Sequence, residues 1–218
     1  MLSLPQAVQQ LIDRSSFIKE ALSVGLINHT SLARYLQEDV SSLIKKEAHI
    51  SAIRSAIDRI PIDSIYQLDK SLSIFMKQLG DINVRSHLID YTFRNSTTLM
   101  ESQVNFLKSI DSSKKYFYSF SKGVNETTVV ISEFLGPLLE KNFSNERLIM
   151  QRIDLSAISI MLPERNLDVH GVYYTILKQL AWKAINVVEI ISTSHEITLV
   201  VDNEDVKPIF DIFLNFKN

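Results

Sequence analysis

The stretch Leu155-Ser-Ala-Ile-Ser-Ile-Met-Leu162 opens the part of the sequence that decides the fold. It is an apolar run of strand length, and the segments after it alternate between helical and strand-like patterns. These segments are, in order, the polar loop Pro163–Gly171, a helical pattern over Val172–Ala184, apolar runs over Ile185–Ile191 and Glu196–Asp202, and an amphipathic segment over Glu204–Phe213. The pattern predicts the order strand, helix, strand, strand, helix.

A shift of 70 residues reveals an internal repeat of this pattern. The clearest match places Glu126-Thr-Thr-Val-Val-Ile131 on Glu196-Ile-Thr-Leu-Val-Val201. Leu107-Lys108 falls on Leu177-Lys178, and Phe143 falls on Phe213. The first copy is therefore predicted as a strand near Val84–Arg94, a helix over Thr97–Ile110, strands over Tyr116–Ser121 and Thr127–Ser132, a helix over Glu133–Lys141 and a closing strand over Arg147–Ile153.

Two strand-helix-strand units per copy predict a ferredoxin-like βαββαβ sandwich. In the second copy only Leu214–Asn218 remain for a fourth strand, so that strand is expected to be short, absent or supplied from elsewhere. The predicted class is α+β, with a helical domain at residues 1–62, a connecting helix at 63–82, and ferredoxin-like domains at 83–153 and 154–218.

The N-terminal segment has the periodicity of helices. Gln6–Val24 is predicted as one helix that Gly25 ends, and Asn28 is a suitable N-cap for the next. A third helix, Ser51–Ile60, stops before Pro61, and Ser64–Gly80 is predicted as a connecting helix.

Three short helices with a tight turn resemble a helix-turn-helix domain, which suggests DNA as a partner. By that analogy Arg34, Arg54 and Arg59 would contact bases or phosphates. Seven basic and six acidic residues within 1–62 give a net charge of only +1, however, and DNA-binding domains are usually more basic. A helical interaction or dimerisation domain is the alternative.

Composition excludes several classes of function. The formal net charge is −2, which argues against broad attraction to nucleic acids or membranes, and no apolar run is long enough to span a membrane. The sequence has no cysteine and no evident secretion signal, so we expect a cytoplasmic protein. No phosphate-binding glycine loop, nucleophile motif or metal-ligand spacing is present, so we expect no enzyme activity, catalytic residue, cofactor or metal.

Residues 155–213 resemble an ACT domain, and the repeat resembles the tandem regulatory pair of aspartate kinases, here without a kinase domain. The residues that carry the resemblance are Asp168-Val-His-Gly171-Val172, Tyr174–Ala181, Ile185-Asn186-Val187 and Ile191–Ile197. The resemblance implies a small-ligand pocket, usually for an amino acid, between the loop that opens the first helix and the strand after that helix, with paired domains placing the pocket at their interface. His170 departs from the family, which often has proline there.

The resemblance assigns the ligand to Asn166, Asp168, His170, Gly171, Val172, Asn186 and Val187. The chemistry is coherent without it: a helix N-terminus suits a carboxylate, Asp168 suits an amino group, and Asn186 both donates and accepts. Asp168 and Asn186 are equally consistent with capping or turning the chain. The first copy has Thr98 and Glu101 in place of Asp168 and Gly171, so we expect the first copy to be structural.

The sequence therefore predicts a regulatory protein that senses a small molecule of the amino-acid class and signals through its N-terminal domain, with transcription as one output. We expect a homodimer through the ACT sheets, and no membrane partner. The alternative is a ligand-free scaffold or interaction module, including a partner that acts in trans on an amino-acid biosynthetic enzyme.

Overall fold

Two compact units make up the chain, Met1–Ser73 and Ile74–Asn218. The computed structural model describes residues 2–61, 71–111 and 113–217, with all of their side chains except those of residues 166 and 167. Within these ranges, no helix is both long and apolar enough to cross a membrane. Of the predicted connecting helix at Ser64–Gly80, residues 64–70 lie outside the described residues, and residues 71–77 are helical and are called α5.

Within residues 2–61 of the N-terminal unit, four helices pack around one apolar core. They are α1, Leu4–Asp13; α2, Ser16–Ser23; α3, His29–Ile44; and α4, Ile50–Ile57. The predicted cap is confirmed, since the Asn28 side chain accepts hydrogen bonds from the backbone N–H groups of Thr30 and Ser31, both at 3.0 Å. The core side chains include Val8, Ile12, Leu36, Val40, Ile53 and Ile57, all nearly inaccessible to solvent.

The single helix predicted over Gln6–Val24 is wrong, because the chain breaks into α1 and α2. Ser15 caps α2 by accepting a hydrogen bond from the backbone N–H of Ile18 at 3.3 Å. A serine side chain satisfies a free N–H at a helix start, which favours a new helix here over continuation of the first. The apolar spacing is kept across the break, so the periodicity alone did not reveal it.

The second unit contains both copies of the repeat and is called the sheet unit. Its first copy is β1, Ile82–Arg94; α6, Leu99–Ser109; β2, Tyr118–Lys122; β3, Glu126–Ser132; and α7, Gly136–Asn142. Its second copy is β4, Leu148–Met161; α8, Val172–Trp182; β5, Glu189–Ser192; β6, Glu196–Asp202; and α9, Val206–Lys217. The predicted order of strand, helix, strand, strand, helix is present in both copies.

All six strands form one antiparallel sheet in the order β2-β3-β1-β4-β6-β5. The long central strands β1 and β4 each serve both copies. The end of β1 pairs with β3, with Leu88 opposite Ser132, while its start pairs with the second half of β4, with Asn83 opposite Ser159. The first half of β4 pairs with the end of β1 in turn.

This pairing determines where the fourth strands lie. The first half of β4 completes the first copy, in the order β2-β3-β1-β4. The start of β1 completes the second copy, in the order β5-β6-β4-β1, so its fourth strand is supplied from elsewhere. The end of the chain does not form a strand, because α9 continues to Lys217. The predicted boundary between residues 153 and 154 falls inside β4.

A bulge in each central strand marks where the strand changes from one copy to the other. The register shifts between Arg85 and Leu88, and again between Leu88 and Asp90. His87 in β1 and Asp154 in β4 have positive φ angles, 58° and 57°. Bulged residues bend a strand and increase its twist, so the two bulges turn the halves of the sheet relative to one another.

The sheet curves strongly, and the helices α6 and α7 pack on the face opposite to the one on which its two ends approach each other. In a flat sheet β3 and β5 would lie about 19 Å apart, since four strand spacings separate them. Instead the Thr128 hydroxyl of β3 donates a hydrogen bond to the Glu189 carboxylate of β5. The inner face is an apolar core of Leu88, Val130, Leu155, Ala157 and Val200.

The strand predicted over Ile185–Ile191 is much shorter, starting at Glu189. Ala184 has a φ of 55° and ends the turn after α8, and residues 185–188 form the connection. The backbone N–H of Val188 still donates to the carbonyl of Val200 at 2.8 Å, so the apolar run is packed along β6 before the ladder begins.

Candidate functional site

The predicted ligand loop lies at one end of the second copy. Asp168 is exposed and ends a short 3-10 helix, Glu164–Asp168. Gly171 has a φ of 87° and stands at the N-cap of α8, a conformation that glycine adopts without strain. Val172 is the first residue of α8, and its side chain is buried in the core. The side chain of Asn166 lies outside the described residues.

Asn186 and Val187 do not join this loop. They follow the C-terminal end of α8, whereas Gly171 is at its N-terminal end. An 11-residue helix is about 16 Å long, so the two groups are separated by roughly that distance. The pocket predicted between the loop and the strand after the helix is therefore not formed by these residues within one copy.

The predicted ligand loop lies next to the β5–β6 hairpin. The hydroxyls of Tyr173 and Ser192 are 2.5 Å apart, and the backbone N–H of Leu162 donates to the carbonyl of His195 at 2.8 Å. His170 and His195 thus belong to the same end of the second copy. Across the described ranges, no three histidine or carboxylate side chains come close enough together to hold a metal ion.

The equivalent end of the first copy holds an internal carboxylate. Glu146 is only 8% exposed, and its carboxylate accepts hydrogen bonds from the hydroxyls of Ser96, Thr98 and Ser102 at 2.5, 2.8 and 2.9 Å. These residues surround the N-terminus of α6. Burial alone would raise the pKa of Glu146, but the three hydroxyls hold that pKa below its usual value.

The second copy lacks that carboxylate. The position 70 residues after Glu146 is Phe216 in α9, and Gly171 places no side chain on the N-terminus of α8. The first copy therefore fills its helix N-terminus with its own chain, and the second leaves the corresponding end to other partners. This difference agrees with the expectation that the first copy is structural.

A cavity of about 290 Å³ lies between the two copies, on the inner side of the curved sheet, and is called the inter-repeat cleft. The segments 119–121 of β2 and 189–192 of β5 form opposite walls, with Thr128 and Val130 of β3 between them. The two walls are equivalent under the 70-residue shift, since Ser119 corresponds to Glu189. The cleft thus lies near the axis that relates the copies.

Glu189 lines this cleft, and Asp90 lies in the strand next to its wall, opposite Val130. Asp90 is 1% exposed and lies directly across the sheet from Val130 on one side and Arg152 on the other. Burial and then the negative charge of Glu189 raise the pKa of Asp90 to about 6, although Arg152 lowers it. Burial also raises the pKa of Glu189, against the opposing hydrogen bond from Thr128.

Sequence reasoning missed Glu146, Asp90 and Glu189. A signal existed for two of them, because Asp90 interrupts the apolar strand Leu88–Phe93 and Glu189 interrupts the run Val187–Ile191. Charged residues are rarely buried in such runs unless they are paired or functional. Glu146 lies in a polar loop and carries no comparable signal.

No protein-family model matches this sequence, and no curated protein matches it either. The fold is similar to that of solved aspartate kinase structures. The Clostridium acetobutylicum aspartate kinase, described as an allosteric enzyme, gives a TM-score of 0.52 at 12% identity, covering 63% of this chain and 34% of that chain. This chain thus corresponds to about a third of that enzyme.

Two regulatory subunits of aspartate kinase from Thermus give similar values. The ligand-free Thermus thermophilus subunit has a TM-score of 0.52 at 9% identity, and the Thermus flavus subunit has 0.51 at 8%. Each comparison covers 64% of this chain and 99% of the other. At such identity the likeness establishes the fold alone, and it confirms the α+β class and the regulatory-region fold that the ACT resemblance implied.

We predict that Glu146→Ala lowers the free energy of unfolding by about 2 kcal/mol, because hydrogen bonds to a buried charge are lost. Since the pKa of Glu146 is lowered in the fold, the contribution is complete above its ordinary value of 4.5 and disappears as the pH falls further. Urea unfolding at pH 7 measures the loss, with the exposed Glu126→Ala as the control. Equal losses in both variants would contradict the assignment, whereas partial rescue by acetate would support it.

We predict that Asp90→Asn stabilises the sheet unit at pH 8 by up to about 3 kcal/mol, since one pKa unit corresponds to about 1.4 kcal/mol. A raised pKa means that the ionised carboxylate opposes folding above pH 6 and that this cost disappears as the pH falls towards 4. Thermal unfolding between pH 4 and 8 measures the difference, with Asp211→Asn as an exposed control. A variant less stable than the native protein at pH 8 would refute it.

Proposed function

We propose that this chain is a cytoplasmic ligand-sensing regulatory protein whose second repeat binds a small molecule of the amino-acid class. Its N-terminal helical unit passes on the signal. The observation that carries the proposal is the Glu146 carboxylate at the N-terminus of α6, where three hydroxyls hold it. The corresponding end of the second copy has no such internal carboxylate, so a ligand carboxylate takes its place at α8.

The surroundings of α8 suit such a ligand. Free backbone N–H groups and the positive end of the helix dipole favour a carboxylate at Gly171 and Val172. Asp168 is exposed beside them and offers a negative charge to an α-amino group. Asn186 and Val187, at the far end of the helix, contribute only if a second molecule or a rearranged loop brings them near.

The fold supports a regulatory role, because aspartate kinase regulatory subunits share it. A ligand regulates only when it binds one conformation better than another. The loop contacts the β5–β6 hairpin through Tyr173 and Ser192, and Ser192 also lines the inter-repeat cleft. This contact is the route by which an occupied loop would alter the packing of the two copies.

Thermal-shift and calorimetric screening of the twenty amino acids tests the proposal. We expect at least one to raise the melting temperature, and Asp168→Ala to remove the response through loss of the ammonium contact. Asp205→Ala provides a control on the other end of the second copy. Silence from all twenty, or a response unchanged in Asp168→Ala, would overturn the assignment of the loop.

The ligand-free scaffold is the second candidate, and an exposed apolar surface on α8 favours it. Trp182 is 73% exposed, and Tyr174 and Leu177 lie on the same outward surface. The first copy exposes Val104 and Leu107 at the equivalent positions of α6. A scaffold would form a stable homodimer or a complex with a biosynthetic enzyme through this surface and would show no amino-acid response.

If the regulator acts in transcription, we propose that its N-terminal unit binds DNA. Arg34, Arg54 and Arg59 are exposed, although Arg54 already lies 3.8 Å from Asp58. Replacement of Arg54 and Arg59 by alanine should abolish salt-dependent binding to a genomic fragment library, because phosphate contacts dominate such affinity. Binding that is absent from the native protein, or unchanged in the double variant, would exclude these residues as DNA contacts.

A further inference from the structure

One carboxylate, that of Glu189, lines the inter-repeat cleft, and a second, that of Asp90, lies in the strand beside its wall. The guanidinium of Arg152 stands opposite Asp90 on the other side of that strand. Arg152 is engaged with Asp202, with its Nη2 3.2 and 3.3 Å from the two carboxylate oxygens. No lysine or arginine is among the described residues that line the cleft, so Glu189 has no cation within it.

The Asp90 carboxylate is incompletely hydrogen-bonded. Its Oδ1 atom is buried and has no hydrogen-bond partner among the residues that the structure describes. Leaving a buried polar atom unpaired is costly, and the cost is larger for a charged group. Native proteins rarely keep such an atom without a ligand, an ion or a water that satisfies it.

The geometry of the sheet directs Asp90 towards the cleft. Residues directly opposite one another in an antiparallel sheet project from the same face. Ser119, Val130 and Asp90 form one such row across β2, β3 and β1. Ser119 and Val130 line the cleft, so the Asp90 carboxylate leaves the sheet on that side and meets the field of Glu189.

The remaining polar lining consists of hydroxyl groups. Ser119, Ser121, Thr128 and Ser192 line the cleft together with the Glu189 carboxylate. Hydroxyl oxygens accept hydrogen bonds and carboxylates accept only, so the lining suits a ligand rich in N–H donors. Val130 and Ile191 provide an apolar wall, which suits an aliphatic portion of the ligand.

We propose that the inter-repeat cleft binds a small organic cation with an ammonium or guanidinium group, held between the carboxylates of Glu189 and Asp90. The inference concerns the cleft between the copies and is separate from the loop at α8, although it specifies the ligand class if the regulator senses a basic amino acid. A bound cation satisfies Asp90 Oδ1, neutralises the charge of Glu189 and bridges β1 of the first copy to β5 of the second.

A divalent metal ion fits the site less well. A cavity of about 290 Å³ is far larger than a bare ion, and the positive charge of Arg152 lies beside Asp90. Calcium and magnesium prefer six or more oxygen ligands, most of them carboxylates, carbonyls or waters. An organic cation with several N–H groups uses the same two carboxylates and the hydroxyls without such a ligand set.

Calorimetry and thermal shift at constant ionic strength test the proposal on the full chain. The probes are n-butylammonium and methylguanidinium, with 1-butanol and N-methylurea as their neutral counterparts. We expect the two cations to bind and to raise the melting temperature, and the neutral probes to have no effect. Equal responses to charged and neutral probes, or a response only to magnesium or calcium, would overturn the proposal.

Variants locate the site. Glu189→Gln and Asp90→Asn should each weaken binding of the cation by about tenfold or more, since each removes a charge-assisted hydrogen bond. Glu126→Gln, an exposed carboxylate on β3, should leave binding unchanged. Binding that persists in both cleft variants would place the cation elsewhere and refute the proposal.

The native protein offers a test that does not depend on the folding of any variant. Both probes stay protonated between pH 5 and 8, so a change of affinity reports the protein. The charged groups facing Asp90 are Glu189 and Arg152. Affinity should fall as the pH drops below about 6, and an unchanged affinity at pH 5 would contradict the role of Asp90.

The outcomes also separate this proposal from the loop site. An amino acid whose response is lost in Asp168→Ala but kept in Glu189→Gln supports the regulator and rejects the cleft. Cation binding that depends on Glu189, with no amino-acid response at all, supports the cleft and rejects the amino-acid sensor.

Discussion

The antiparallel pairing of β1 with β4 is the constraint on which the sheet unit depends. Each strand is long enough to serve two copies, 13 residues in β1 and 14 in β4. A bulge in each, with His87 and Asp154 at positive φ, lets the strand pass from one half of the sheet to the other. Because the halves share these strands, neither copy has a complete sheet of its own, and a change in one is transmitted through a continuous backbone.

Three carboxylates in this unit show how the same chemical group acquires different roles. Glu146 receives three hydroxyl hydrogen bonds, so its charge is stabilised and the group is structural. Asp90 receives none at Oδ1, and Glu189 receives one from Thr128. Glu146 and Asp90 are buried and Glu189 is partly buried, and the number of donors decides which charge is satisfied. The pKa directions follow that order, lowered for Glu146 and raised for the other two.

Local patterns predicted the elements of the fold well, because strand and helix periodicities reflect the faces that are buried here. Glu196–Asp202 is β6 as predicted, and Asn28 caps α3. What the patterns did not contain was the partner of each strand. β1 and β4 pair over a separation of about 70 residues, and that pairing decides the source of the fourth strand and joins the two copies in one sheet.

The candidate sites divide in the same way. The loop at Asp168–Gly171 was visible because a glycine beside a helix start is a local signal. The cleft was not, since Asp90 and Glu189 are 99 positions apart and come near each other only in the folded sheet. Asn186 follows the C-terminal end of α8, whereas the loop precedes its N-terminal end, so the part of Asn186 in a ligand site stays a prediction.

The shared central strands also bear on how such a protein could arise. A single repeat of this design lacks a fourth strand and would complete its sheet by pairing its first strand with that of a second copy, as a symmetric homodimer. In that ancestor every cleft residue would occur twice across the axis, so an acidic wall would face an identical acidic wall. Fusion of two copies into one chain removes this restriction. Ser119 now faces Glu189, and the position of Asp90 is Ile160 in the other copy. A ligand without two-fold symmetry of its own can therefore be accommodated on the former symmetry axis.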